Sequence, residues 1–230
     1  MIPAPEDTIF TASNIINFFV ALGTCTAVLV ALVALVAKKQ SSFESTFSLL
    51  LSQHNNALNE LRKHPKYSEL INKLMDGLVP LKETNMLMHQ HDTVFGSYFR
   101  ILYHLLKFID NNAGYHPFDH LRKKTYTSLV RAHLDNEITY LLAINCAHAD
   151  NKNQYCLYKT LIERYAMLEH LILNKSILLD YKNQEVNENN NNLRITTIML
   201  DDDLKTIFNE ITSVYHKSAF GKNPELQNFL

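Results

Sequence analysis

The sequence predicts an all-α protein in which one hydrophobic helix crosses a bilayer and a helical cytosolic domain follows it. Three observations predict this. Residues 15–37 read IINFFVALGTCTAVLVALVALVA and contain no charge. Gly and Pro are scarce, 5 and 6 among 230 residues, so few positions interrupt a helix. Beyond the span, apolar residues recur at steps of three and four, and no strand-like alternation competes with them.

The span comes first in order. A bilayer core is ~30 Å thick and takes ~20 apolar residues of helix. Within residues 15–37 the only polar side chains are Asn17, Thr24, Cys25 and Thr26. A helix satisfies its own backbone hydrogen bonds in lipid, so one such segment is sufficient to cross. A cleaved signal peptide would need a basic start and a shorter apolar core. Here the start carries Glu6 and Asp7, and the stretch ends at Lys38 and Lys39. The positive-inside rule then places residues 1–14 outside and residues 38–230 in the cytoplasm. Asn17, Ala21, Thr24, Ala27, Ala31 and Ala34 recur at steps of three and four and form one stripe. Small residues let membrane helices approach closely, so this stripe is the expected oligomer or pore face.

The rest reads as helices. The anchor helix continues to about Pro65, with Phe43, Phe47, Leu50, Leu51, Asn55 and Leu58 at helical spacing. Further helices are expected over 67–78, 83–110, 118–148, 155–181 and 203–220. Asp201, Asp202 and Asp203 suit the start of the last one, where the helix dipole favours acids. The polar, Asn-rich residues 182–194 read as a mobile loop.

Composition narrows the chemistry. The net charge is −1, which supplies no broad attraction to nucleic acid, so DNA is not an expected partner. There are 3 cysteines, one of them Cys25 in the span, and this is no disulfide framework. Cys146, His148 and Cys156 lack the tight paired spacing of a zinc site, so neither metal nor cofactor is expected.

Two helices hold polar groups inside apolar patterns. Arg100, His104 and Lys107 share one face of a helix whose other face is Tyr98, Leu102, Leu105, Leu106 and Ile109. In the next helix Arg131 and Asp135 lie one turn apart, as do His133 and Glu137. Polar groups in such a setting pair with one another, so Arg100, His104, Arg131, His133, Asp135 and Glu137 read as a structural network that sets helix register.

At these residues the chain resembles the phage abortive infection proteins of the AbiC-like group. FESTFSLLLSQHN at 43–55, YFRILYHLLKFID at 98–110, YTSLVRAHLDNEITYLLAIN at 126–145 and YKTLIERYAMLEHL at 158–171 carry the resemblance. It implies a small bacterial protein with N-terminal membrane helices and a helical cytosolic domain. Many relatives have two spans where this sequence has one, so their topology is not carried over in detail. The chain also resembles the single-pass accessory proteins encoded beside type VI-B CRISPR effectors. That resemblance implies a divergent HEPN-like helical domain, assembly into a membrane pore, and support of an RNA-guided effector. HEPN ribonucleases carry Arg, four to six residues, then His, and Arg164 with His170 fits that pattern. There the pair would act as a catalytic site on the RNA 2′-hydroxyl. Tyr165 stands where active HEPN enzymes show a polar residue, a departure from the active pattern.

The expectation is therefore a non-enzymatic antiphage defence protein of the bacterial inner membrane. It would form a homo-oligomer, permeabilise the lipid bilayer, and partner an RNA-guided CRISPR effector or another defence protein. The alternatives are a membrane-tethered HEPN-type ribonuclease and a passive scaffold.

Overall fold

The computed structural model describes residues 12–75, 79–112, 119–149, 155–172, 201–224 and 226. All regular structure among them is helical. The N-terminal segment before Ala12, the Asn-rich stretch at 182–194 and the expected helix beyond residue 172 lie outside the described residues. The chain divides into two units, 1–46 and 47–230.

The first unit is one continuous helix, the start of α1 (Ala12–Lys63). Over residues 13–39 its side chains are exposed on every face, with Phe18 65%, Val33 69% and Val36 70% accessible. A helix that is apolar all round is suited to a nonpolar environment such as lipid. By length and composition this is one helix able to cross a membrane. Two of its threonines are satisfied internally. The hydroxyls of Thr24 and Thr26 each donate to the carbonyl four residues back, Val20 and Leu22, at 2.8 Å. Asn17, Ala21, Thr24, Ala27, Ala31 and Ala34 all lie on this helix and are exposed.

The second unit contains the end of α1 and α2 (Tyr67–Leu74), α3 (Leu81–Gln90), α4 (Asp92–Asn112), α5 (Asp119–Arg131), α6 (Asn136–Asn145), α7 (Cys156–Arg164) and α8 (Asp201–Val214). A 3₁₀ turn at Lys217–Phe220 follows. The core is built on α4 and α6. From α4 it takes Tyr98, Leu102, Leu105, Leu106 and Ile109, the apolar face that the sequence shows, together with Phe99. In α6 the residues Ile138, Leu141, Leu142, Ala143 and Ile144 are fully inaccessible, so that helix is surrounded. Helix α3 packs on α6, and α4 packs on α5 and α7.

Three expected helices are interrupted. The 83–110 helix begins earlier, at Leu81, and breaks at His91, where ψ is 34°. Asp92 then opens α4 with an acid at its positive end. The 118–148 helix breaks between Arg131 and Asn136. There Asp135 takes an extended backbone and its carboxylate accepts from the Ile138 N–H at 2.8 Å, an N-cap that starts α6 anew. The 155–181 helix stops at Arg164, and Ala166 follows with φ 51°, a left-handed residue that ends the helical path. The last helix stops at Val214, short of the expected Phe220. Glu210 of α8 accepts from the Leu81 N–H at 2.6 Å and so covers an orphan donor at the start of α3.

Candidate functional site

A pocket of about 280 Å³ opens beside α4. Helix α4 supplies Asp92, Gly96, Phe99, Arg100, Tyr103 and His104, which recur at helical spacing and therefore share one side. Asn145 comes from the end of α6, and Tyr155 and Tyr158 come from the start of α7. Arg100 and His104, expected in a structural network, line this pocket instead of pairing with acids on the next helix.

The pocket has an aromatic wall and a polar edge. The rings of Tyr103 and Tyr158 lie 5.3 Å apart, with Tyr158 3% exposed. The His104 ring lies 5.2 Å from Tyr103, and Lys107 Nζ stands 5.6 Å from its centroid. Arg100 meets Asp92 at 3.2 Å along the rim. Tyr155 stacks near His89, their rings 4.9 Å apart. Burial holds the His89 imidazole below its ordinary pKa. Asn85 donates to the carbonyls of Ile144 at 2.7 Å and Asn145 at 3.3 Å, which fixes the end of α6 that carries Asn145. Asn145 is 5% exposed, and its Nδ2 makes one contact, to Cys146 Sγ at 3.7 Å. Among the described residues no hydrogen bond reaches its Oδ1, and none reaches the buried hydroxyl of Tyr158.

The remaining network residues are split among three sites. Arg131 does not pair with Asp135. It reaches Glu169 at 2.7 Å and donates to the carbonyls of Ala166 at 2.8 Å and Tyr165 at 3.3 Å. Glu169 also accepts from the Lys222 N–H at 3.2 Å, so the pair ties α5, the turn after α7 and the C-terminal segment together. Asp135 is joined to Arg62, and Glu137 accepts from the Tyr67 hydroxyl at 2.7 Å. Those two acids hold α1 and α2 to the start of α6. His133 is exposed. The one-turn pairs Arg131–Asp135 and His133–Glu137 required an unbroken helix, and the Asp135 cap breaks it.

Arg164 and His170 are not assembled by one helix. Arg164 donates to both carboxylate oxygens of Asp110, at 2.8 and 2.9 Å, and Tyr165 bonds the same carboxylate. Burial pushes Asp110 up, but the Tyr165 and Arg164 hydrogen bonds outweigh it and hold the carboxyl below its usual range. His170 is exposed beyond the left-handed turn at Ala166, and among the described residues no hydrogen bond or ion pair joins it to Arg164. Cys146 is buried, which pushes its thiol up. Among the described residues no three His, Cys, Asp or Glu side chains gather as a metal site.

The fold and pocket thus define a class: a helical domain with a small polar–aromatic pocket, behind a helix able to cross a membrane. The particular resemblance lies in the same place. Residues 90–176 match the model of the family described as "Putative phage abortive infection protein". Over that stretch the chain is similar to the family, as its AbiC-like motifs imply, and the likeness points to antiphage defence. The stretch holds every residue that lines the pocket, and also Arg131, Glu169, Asp110 and Arg164. No curated protein and no solved structure matches the chain.

Proposed function

We propose that the chain is a membrane-anchored antiphage defence protein that assembles through its apolar helix and permeabilises the bilayer. The observation that carries this is the first half of α1, whose apolar side chains are exposed on every face while its threonines are satisfied within the helix. The family likeness supplies the biological context. One span cannot enclose a pore, so several copies must pack. Ala21, Ala27 and Ala31 lie on the stripe where close approach costs least, and Asn17 or Thr24 adds ~0.6–2 kcal/mol per interhelical hydrogen bond. A lumen lined by such residues gates by dewetting rather than by charge selection. In this reading Lys38 and Lys39 hold the C-terminal domain in the cytoplasm of a bacterial cell, as the positive-inside rule requires. Its partners are further copies, the lipid bilayer, and an RNA-guided effector or another defence protein.

The test is dye release from liposomes together with mass measurement in mild detergent. The wild-type chain is expected to be oligomeric and to release dye. Ala21→Leu, Ala27→Leu and Ala31→Leu are each expected to weaken both at equal expression. A monomer that leaves vesicles intact would leave the scaffold role in its place.

A further inference from the structure

We propose that the pocket beside α4 binds a mononucleotide, with the base inside and the phosphate at the Arg100–His104 edge. The pocket stands on residues of the second unit alone, so this proposal does not depend on the membrane reading.

Size is the first constraint. About 280 Å³ lies just below the range of drug-sized sites, roughly 300–1,000 Å³. A single nucleotide is of that order, and a dinucleotide is too large.

Chemistry along the pocket is the second. Tyr103, Tyr158 and Phe99 line the pocket with aromatic surface; Tyr103 is half-buried and tilted against the buried Tyr158. Aromatic faces of this kind stack a nucleobase whatever its identity. Asn145 adds selectivity. Its backbone is held by the bond from Asn85, while one arm of its carboxamide meets only a sulfur and the other has no partner among the described residues. Asn145 lines the pocket, so this unused hydrogen-bonding capacity is open to a ligand. The side chain of Asn pairs with the N6/N7 edge of adenine through both arms at once.

The rim is the third. Arg100 is 65% exposed and spends one nitrogen on Asp92. A guanidinium has five donors in a planar fork, so the remainder are open to a phosphate. His104 lines the same edge with its imidazole, and Lys107, over the Tyr103 ring, adds a second positive charge nearby. Asp92 lines the pocket beside Arg100, and its carboxylate can accept from ribose hydroxyls. It also repels a bare anion, so phosphate without its nucleoside is a poor ligand here.

Equilibrium dialysis of the full chain in detergent against labelled AMP tests the proposal, with unlabelled adenosine and inorganic phosphate as competitors. AMP is expected to bind below roughly 1 mM, the upper end of ordinary small-ligand affinities. Adenosine should compete and phosphate should not. Arg100→Ala, at an exposed position, should weaken AMP about tenfold or more while leaving adenosine unchanged. Asn145→Leu, close in shape, should weaken both. Absence of AMP binding to the folded wild-type chain overturns the proposal, and so does AMP binding that is indifferent to Arg100→Ala.

Discussion

Asp92 and Arg100 lie two turns apart on α4, yet their side chains meet at 3.2 Å because Gly96 leaves the turn between them open. A Cβ on Gly96 would sit 2.0 Å from Asp92 Oδ1. The glycine therefore lets a carboxylate lie along the helix and pre-orient the arginine that borders the pocket.

Gly96→Ala is expected to break this pair at little cost in stability. The contact is with the free end of a side chain, so Asp92 can swing away. Alanine gains about 0.5–1 kcal/mol in a helix interior, and an exposed ion pair is worth about 0–1 kcal/mol. Thermal melts in detergent should place the variant within about 1 kcal/mol of wild type on those grounds. A loss above about 2 kcal/mol would mean that Asp92 is held in place.

Arg131→Ala is expected to destabilise the domain strongly. Its side chain is 11% exposed, that of Glu169 is 21% exposed, and the guanidinium also serves the carbonyl of left-handed Ala166. Removing one partner of a buried pair costs about 3–5 kcal/mol; the residual exposure of Glu169 places this one near the lower end. Arg131→Lys should restore only part, because an ammonium cannot serve the carboxylate and the carbonyls with the geometry of the fork. Melting or chemical denaturation of the three proteins decides. A stable Arg131→Ala chain that has lost defence activity would move Arg131 from structure to function.

Stability is expected to fall as pH drops below about 6.5. His54 is fully inaccessible, with Nε2 3.0 Å from the Tyr98 hydroxyl and Nδ1 3.2 Å from Asn55 Oδ1. Burial lowers its pKa to about 4 from 6.5. The unfolded chain therefore binds more protons between those values, and stability decreases with falling pH until about 4. The shift corresponds to roughly 3 kcal/mol at most. His89 and His148, also lowered by burial, act in the same direction. Melts of His54→Gln over this range should show a shallower slope than wild type. An unchanged slope would assign the pH dependence to other groups.

Several features were legible from the chain alone because they are written in one dimension. An uncharged apolar run of bilayer length is visible as such, and so is the 3.6-residue period of Tyr98, Leu102, Leu105, Leu106 and Ile109, which the structure buries together. The charged residues Arg100, Arg131, Asp135 and Glu137 stand out in the same way, as polar positions in apolar helices. The AbiC-like motifs at 98–110, 126–145 and 158–171 lie within the stretch that matches the family, and the one at 43–55 lies outside it.

Their partners were not legible, because a local cap outweighed helical continuity. Once Asp135 turns back to cap Ile138, it ends the frame in which Arg131 and Asp135 would be neighbours. The backbone then delivers Asp135 to Arg62, Glu137 to Tyr67, and Arg131 to Glu169, separations in sequence that no periodicity encodes. The pocket is of the same kind. Asn145 and Tyr158 give no signal in sequence, since each reads as an ordinary helix residue, and only the packing of α4 on α7 and the end of α6 places them opposite Arg100. Sequence alone determined the helical class and the apolar helix long enough to cross a membrane, through hydrophobic length and period. Tertiary structure decided which polar groups meet, because burial brings them together from distant turns and makes an unpaired one costly.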